Sequence, residues 1–353
     1  MSLIEVSISH VRCIEEATLQ LPRGLTLIWG GNGSGKTSVL ESIFMLGRGR
    51  SFRTRNNSRL IKRDRHLLRV IGQAETEAGL PVALGIEVGA EGTRARISGR
   101  DVESLAELSQ SFAVQVVDPG IHRLVEEAGH RRRRWLDWSV FHVEPRFMEN
   151  WTRYTRGLKQ RNTALKLSDP HATIWDAELA RLGELITDSR QKLMERLAPY
   201  WRETVDALSG LEIDLHYQRG WSQEYTLAEA LTASATRDAS RQVTHAGPHR
   251  ADVAVRVRGR PAKEVLSRGQ QKLVAAALTV AQLKLLKDAT AITPTLLLDD
   301  PAAELDAVHL ERFVDEVSRL RCQLVVTSLH AESRLFGAPD RTFRMEEGTA
   351  HPL

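Results

Sequence analysis

Two short groups of residues in this chain of 353 have the types and spacing for phosphate chemistry, and they lie near its opposite ends. The first, Gly30-Gly31-Asn32-Gly33-Ser34-Gly35-Lys36-Thr37, reads G-x-x-x-x-G-K-T. Glycines let backbone N–H groups close around a phosphate chain; the lysine reaches β- and γ-phosphate oxygens, and the threonine hydroxyl serves Mg²⁺. The second is Asp299-Asp300, at the end of the apolar run Thr295-Leu296-Leu297-Leu298. A buried strand ending in paired acids delivers one carboxylate, Asp299, to Mg²⁺ and the other, Asp300, to an attacking water. Capping of a following helix would explain only one of the two acids. Upstream of them, Ser267-Arg268-Gly269-Gln270 opens a helical run whose buried face is Leu273, Val274, Ala277, Leu278 and Ala281. A small-residue turn at a helix start gathers free N–H groups and the positive dipole end, which suits an anion.

These groups need elements to hold them. Leu25-Thr26-Leu27-Ile28-Trp29 reads as a strand entering the glycine loop, and Val39, Leu40, Ile43 and Phe44 recur at helical spacing after it, with Gly47 as the expected end. Ile4, Val6 and Ile8, then Leu19 and Leu21, alternate as two strands, and Arg12 between them reads as a solvated hairpin charge. Residues 68–71, 81–88, 94–98 and 112–117 read as further strands, with a helix over 103–108. From 123 to about 231 the pattern turns helical. Phe147, Trp151, Tyr154, Leu158 and Leu165 mark one helix; Trp175, Leu179, Leu182, Ile186, Leu193 and Leu197 mark another; Leu167-Ser168-Asp169-Pro170 breaks between them. Such seams are core between helices, not a cofactor site. The run Arg131 to Arg134 has the look of a nucleic-acid patch, but Trp135-Leu136-Asp137-Trp138 makes it equally the start of a packed helix. Leu211 to Leu215 reads as a strand, and His249, in Gly247-Pro248-His249-Arg250, as a satisfied structural histidine. Residues 323–327 form a last apolar strand.

Composition narrows the setting. Apolar residues make up 42% and charged residues 27%, ordinary for a soluble globular protein of two or three domains. A net charge of +4 permits a polyanion partner. Cys13 and Cys322 provide neither a metal cluster nor a disulfide framework. Early charges argue against a signal peptide and no run reaches membrane-span length, so a cytoplasmic protein without membrane contact is expected. Beside the glycine loop, Arg48, Arg50, Arg53, Arg55, Arg59, Lys62, Arg63 and Arg65 face the single acid Asp64. Of these, Arg48, Arg50, Arg53, Arg55, Lys62 and Arg63 are candidate contacts to a nucleic-acid backbone.

The order glycine loop, S-x-G-Q, paired acids and then Glu304-Leu305-Asp306 resembles the head of an ABC-type ATPase. That resemblance implies an α/β fold with a mixed sheet, flanking helices and a β-rich subdomain, interrupted here by a helical arm. The expected division is head over 1–122, arm over 123–240 and head again over 241–353. In such heads Ser267, Gly269 and Gln270 of one copy cap ATP held by residues 30–37 of a second, and Asp306 is a further nucleotide-binding residue. ATP and Mg²⁺ are thus the implied cofactors, and an ATP-dependent homodimer the implied assembly. The arm is too long for a transporter ATPase and far too short for an SMC coiled coil. The segments Gly47-Arg48-Gly49-Arg50-Ser51-Phe52-Arg53, Leu158-Lys159-Gln160-Arg161-Asn162, Gly247-Pro248-His249-Arg250 and Leu298-Asp299-Asp300 resemble the RecF family of bacterial recombination mediators. That likeness implies a weak ATPase that binds double-stranded DNA and single/double-strand junctions, and works with RecR, RecO and RecA at gaps. An SMC-like clamp and a soluble ABC ATPase unrelated to DNA are the alternatives. The chain departs from the family pattern in three places: Pro119-Gly120 lacks an acid after proline, Arg12-Cys13 replaces an Arg-Asn pair, and Thr327-Ser328 stand where many ABC proteins carry a histidine. Asp300 in place of a glutamate is a shorter base, from which slow turnover follows.

Overall fold

The computed structural model describes residues 1–54, 56–102, 105–290 and 292–353. The chain divides into two compact units: Met1–His122 with Ala207–Gly210 and Lys272–Leu353, and Arg123–Asp206 with Leu211–Gln271. The first unit opens with β1 (Ser2–Val11), β2 (Ile14–Gln20), β3 (Leu25–Trp29) and α1 (Lys36–Arg48), the helix that follows the glycine loop. Next come β4 (Leu68–Glu75), β5 (Pro81–Gly89), β6 (Gly92–Ile97), the short β7 (Arg100–Asp101), α2 (Leu105–Ser111) and β8 (Val114–Val117). The start of the expected helix over 103–108 lies outside the described residues.

In the second unit α3 (Arg123–Glu126), α4 (His130–Val143), α5 (Phe147–Lys166), α6 (Asp176–Ser209), β9 (Asp214–Gln218) and α7 (Leu227–Arg241) precede β10 (Asp252–Val257), β11 (Arg260–Pro261) and α8 (Ala262–Val265). The first unit resumes at Lys272 within α9 (Arg268–Ala289) and continues with β12 (Thr295–Leu298), α10 (Pro301–Glu304), α11 (Ala307–Leu320), β13 (Gln323–Ser328), β14 (Arg341–Glu346) and β15 (Thr349–Pro352).

Two six-stranded sheets build the first unit. One is antiparallel in the order β2-β1-β4-β5-β6-β7, and the other runs β15-β14-β3-β13-β12-β8. In the second sheet β8, β12, β13, β3 and β14 are parallel, so β13 lies between the strand that enters the glycine loop and the strand that ends in Asp299. Helix α1 is buried on nearly all sides: Val39, Leu40, Ile43 and Leu46 are 0% exposed and pack in one core with Leu3, Val70 and Ile86 of the antiparallel sheet and Val325 of the other. Each such side chain contributes about 1.5–3 kcal/mol through its burial. Gly47 does not end this helix. It lies inside, where a Cβ would strike the Phe112 carbonyl and the Val114 side chain, and the helix ends at Arg48, capped by Gly49 in the left-handed conformation.

The second unit carries four long helices and a small sheet, β11-β10-β9, and it continues past the boundary at 240 that the sequence suggested, as far as Gln271. Helix α7 begins at a capping box in which Thr226 and Glu229 satisfy each other's backbone N–H groups. The helices are tied together through buried charges. Arg161, 1% exposed, donates to Asp176 (2.6 Å), Asp238 (2.8 Å) and the Thr244 hydroxyl (2.9 Å). Arg190, 0% exposed, pairs with Asp137 at 2.8 and 3.0 Å and donates to the Pro248 carbonyl. His249 receives the Tyr154 hydroxyl at Nδ1 (2.7 Å) and donates from Nε2 to the Thr244 carbonyl (3.0 Å); burial holds its pKa down to about 4. It is therefore a satisfied, neutral structural histidine. The arginine run is structural as well. Arg131 pairs with Glu127, Arg132 with Asp252 and three carbonyls at the end of α3, and Arg133 with the Ala251 carbonyl. No described helix is long and apolar enough to cross a membrane.

Candidate nucleotide site

The glycine loop joins β3 to α1 under constraints from two neighbouring strands. The Gly30 N–H donates to the Ser328 carbonyl of β13 (3.3 Å), and the Gly348 N–H, in the β14–β15 turn, donates to the Ser34 carbonyl (2.9 Å). A Cβ at Gly30 would run into the Met345 carbonyl oxygen, so β14 passes too close for any other residue there. Helix α1 begins behind Gly35 at φ 111°, with no side-chain cap and no acid in its first turn. Its leading N–H groups and dipole therefore present positive potential at the loop. The Lys36 ammonium reaches back to the Gly30 (2.7 Å) and Gly31 (2.8 Å) carbonyls. Desolvation lowers its pKa from the usual lysine value, against the opposing charges of Asp300 and Asp299.

Strand β12 is buried throughout and delivers Asp299, 8% exposed, beside Thr37. The Thr37 hydroxyl donates to Asp299 Oδ1 and Oδ2 at 3.0 and 3.1 Å. Burial pushes the Asp299 carboxyl above its ordinary value, against the Thr327 and Thr37 hydroxyls and the charges of Arg53 and Lys36. Thr37 and Asp299 are hard oxygen donors in contact, and no cluster of three or more His, Cys, Asp or Glu stands among the described residues. A donor set this small suits Mg²⁺, which keeps waters and phosphate oxygens in its shell, better than Ca²⁺ or Zn²⁺. Asp300 takes the left-handed conformation (φ 49°, ψ 58°) at the start of α10, and its side chain makes no cap. The capping explanation thus fails for it.

Two features of the site lie outside the candidate residues read from the sequence. Thr327, 0% exposed and opposite Asp299 on β13, donates to Asp299 Oδ1 (2.9 Å) and accepts the Asp300 N–H (2.9 Å). One hydroxyl thus fixes the first acid's side chain and the second acid's backbone, in the segment where a histidine was missing. The other feature is Glu41 on α1, 0% exposed, which receives Arg12 Nε (2.5 Å) and Nη2 (3.0 Å) and the Ser51 hydroxyl (2.5 Å), with Arg53 Nη1 at 3.8 Å. Arg12 is therefore not a solvated hairpin charge. It sits at φ 54° in the β1–β2 turn, aimed at the glycine-loop helix. Glu41 lies one helical turn beyond Thr37, a spacing that could have flagged it.

In the second unit Ser267 and Gln270 form a reciprocal cap: the Ser267 hydroxyl accepts the Gln270 N–H (3.3 Å) and the Gln270 side chain accepts the Ser267 N–H (3.0 Å). Gly269 is exposed in that first turn of α9. Asp306 caps α11 through the His309 N–H (3.1 Å) and holds His309 Nδ1 at 2.6 Å; the His309 side chain is the main cause of its lowered pKa. Among the basic candidates, Arg48 lies over the Phe44 ring, Arg53 turns toward Glu41, and Lys62 binds the Cys13 carbonyl and Glu15. Arg63 is exposed, and Arg55 lies outside the described residues.

Residues 2–349 match the family model described as RecF/RecN/SMC N terminal domain. The DNA replication and repair protein RecF of Pseudomonas fluorescens strain Pf-5 is 38% identical over 99% of this chain and 97% of its own length. RecF of Pseudomonas aeruginosa strain PAO1 is likewise 38% identical, with the same coverage of 99% and 97%. A solved structure of the recombination mediator protein RecF with ATP, from the RecFOR pathway, aligns at TM-score 0.89 and 25% identity over 100% of this chain and 97% of that one. The Smc head bound to the C-winged helix domain of ScpA shares the fold at TM-score 0.59 and 16% identity, over 100% of this chain and 97% of that one.

Proposed function

The chain belongs to the RecF family, and from that premise and the site's geometry we infer that it is an ATP-dependent DNA-binding mediator of recombination. Residues 30–37 take the triphosphate, with Lys36 leaving the loop carbonyls for β- and γ-phosphate oxygens. Thr37 and Asp299 hold Mg²⁺, which when bound supplies charge neutralisation for the phosphates. Asp300 orients the attacking water and completes a slow hydrolysis. Ser267, Gly269 and Gln270 of a second copy cap the nucleotide, and Asp306 is a further nucleotide-binding residue, so ATP drives a homodimer onto double-stranded DNA and single/double-strand junctions. Hydrolysis releases it. Working with RecR and RecO to load RecA at gaps, in the cytoplasm, completes this reading.

The observation that carries it is the Thr37–Asp299 contact at 3.0 Å beneath the glycine loop, in a chain whose relatives over nearly full length are RecF proteins. Fluorescence anisotropy on duplex DNA with and without ATP tests it. Binding should require ATP and be lost in Lys36→Ala and Ser267→Ala; an ATP-independent affinity, or dimerisation retained in both variants, overturns the composite site. Capture of RecR separates a mediator from an SMC-like clamp, which would bind DNA but not RecR.

A further inference from the structure

Positive charge in this chain is unevenly committed. The arginine run on α4 is spent on Glu127, Asp252 and backbone carbonyls, and in the segment beside the glycine loop Arg53, Lys62 and Arg65 turn to Glu41 and Glu15. The hairpin β10–β11 and the turn after it are different. Arg256, Arg258, Arg260, Lys263 and Arg268 fall within thirteen residues that hold one acid, Glu264. All but the half-buried Arg256 are exposed. Among the described residues none of the five has an acidic partner, and the only hydrogen bond from their side chains is Arg256 Nη1 to the Gly259 carbonyl at 3.3 Å.

The hairpin is built to present these side chains. Val257 pairs with Arg260, leaving a two-residue turn, Arg258-Gly259, with φ of 49° and 79°. Both central residues of such a turn need positive φ, which favours Asn-Gly and strains an ordinary side chain. An arginine stands at the tip despite that strain. Valines at 253 and 255 anchor the other face of β10 in the core.

We propose that the β10–β11 hairpin, continued by Lys263 and Arg268, is a contact surface for the sugar-phosphate backbone of duplex DNA. The inference rests on the DNA-binding reading above and deepens it by naming the surface. No aromatic side chain occurs between Asp252 and Gln270, so the surface lacks the stacking platform that single strands require. Guanidinium and ammonium groups on a rigid hairpin read phosphate without reading sequence. The same segment runs directly into Ser267 and Gln270, so DNA held here bears on the turn that caps the second copy's nucleotide.

The test is the salt dependence of duplex binding in ATP by the full chain, comparing wild type with Arg256→Gln/Arg258→Gly/Arg260→Gln. Glycine at 258 suits the turn, and a wild-type circular dichroism spectrum and urea midpoint report the fold. Each lost phosphate contact lowers the slope of log affinity against log salt by about 0.9, so the triple variant should lose up to about 2.7 from the slope, equally on unrelated sequences. Arg256→Lys/Arg260→Lys keeps the charges and should keep the wild-type slope. An unchanged slope in the triple variant overturns the hairpin surface, as does a slope lost equally in the lysine variant, which would mark a structural role. If the wild type itself fails to bind duplex DNA with ATP, the broader reading fails instead.

Discussion

Substituting Arg12 by methionine removes both hydrogen bonds the guanidinium gives Glu41, at 2.5 and 3.0 Å, while keeping most of the aliphatic bulk. What is left is a carboxylate with no exposed surface, supported by the Ser51 hydroxyl at 2.5 Å and by Arg53 at 3.8 Å. Breaking a buried ion pair from one side costs about 3–5 kcal/mol, and the surviving donors put this case at the lower end, about 3 kcal/mol. The reverse substitution, Glu41→Gln, strands a different group. Arg12 keeps 30% of its side chain exposed, so water replaces the lost partner, and the loss should be about 1–2 kcal/mol. A double-mutant cycle on the pair should return a coupling energy of about 1–3 kcal/mol. Urea unfolding followed by hydrogen exchange in peptides from α1 reads the first unit directly. A Glu41→Gln variant less stable than Arg12→Met, or an Arg12→Met variant within about 0.5 kcal/mol of wild type, the range typical of surface changes, would refute the assignment of the uncompensated charge to Glu41.

Thr327→Val should raise the Mg²⁺ concentration needed for ATP turnover about 10–100-fold, the usual effect of losing a group that orients a metal ligand. Metal-free nucleotide affinity should stay put, and Thr327→Ser should restore the Mg²⁺ titration; a wild-type titration in the valine variant counts against the role. His249 is buried neutral, with its pKa down at about 4 against 6.5 when unfolded, so the unfolded chain binds the extra proton between those values. Its contribution is free of penalty above pH 6.5 and falls as pH drops toward 4, by about 3 kcal/mol in all. Urea midpoints of the second unit from pH 7.5 to 4 should show that decline, and His249→Gln should flatten it; parallel curves reject it.

The glycine loop and the acid-tipped strand were legible because each is contiguous and their chemistry depends on short spacing. The strands of the first unit were legible by alternation, as in β4, where Leu68, Val70, Gly72 and Ala74 face the core and Arg69, Ile71 and Gln73 face solvent. What escaped was made by distant residues. Arg12 meets Glu41 across 29 positions, and Thr327 meets Asp299 only because β13 lies beside β12 in a parallel sheet. Neither has a local pattern. The arginine run misleads in the opposite direction: its charge is conspicuous, but Arg132 is consumed by Asp252 and by the end of α3. The hairpin arginines drew no notice because alternation with valine spreads them through what reads as a strand. Helix α7 runs past the helical pattern read to about 231, although Thr226 and Glu229 carry a legible capping signal.

The shifts at the glycine loop point one way when taken together. Desolvation lowers the Lys36 pKa and raises that of Asp299, so burial disfavours the charged form of both, and they lie close enough for each to support the other. Two threonine hydroxyls fix the Asp299 carboxylate, and two loop carbonyls hold the Lys36 ammonium, so the charged forms are kept in place at a cost in solvation. Under the proposed function, a triphosphate carrying a divalent cation would bring the complementary charge to each, phosphate to Lys36 and cation to Asp299. Both pKa values should then move back toward their ordinary values, lysine upward and aspartate downward. Binding should consequently take up protons at the lysine and release them at the aspartate. The pH dependence of nucleotide affinity would be steepest on the acid side, where Asp299 must give up its proton, and Asp299→Asn would remove that limb while leaving the alkaline side intact.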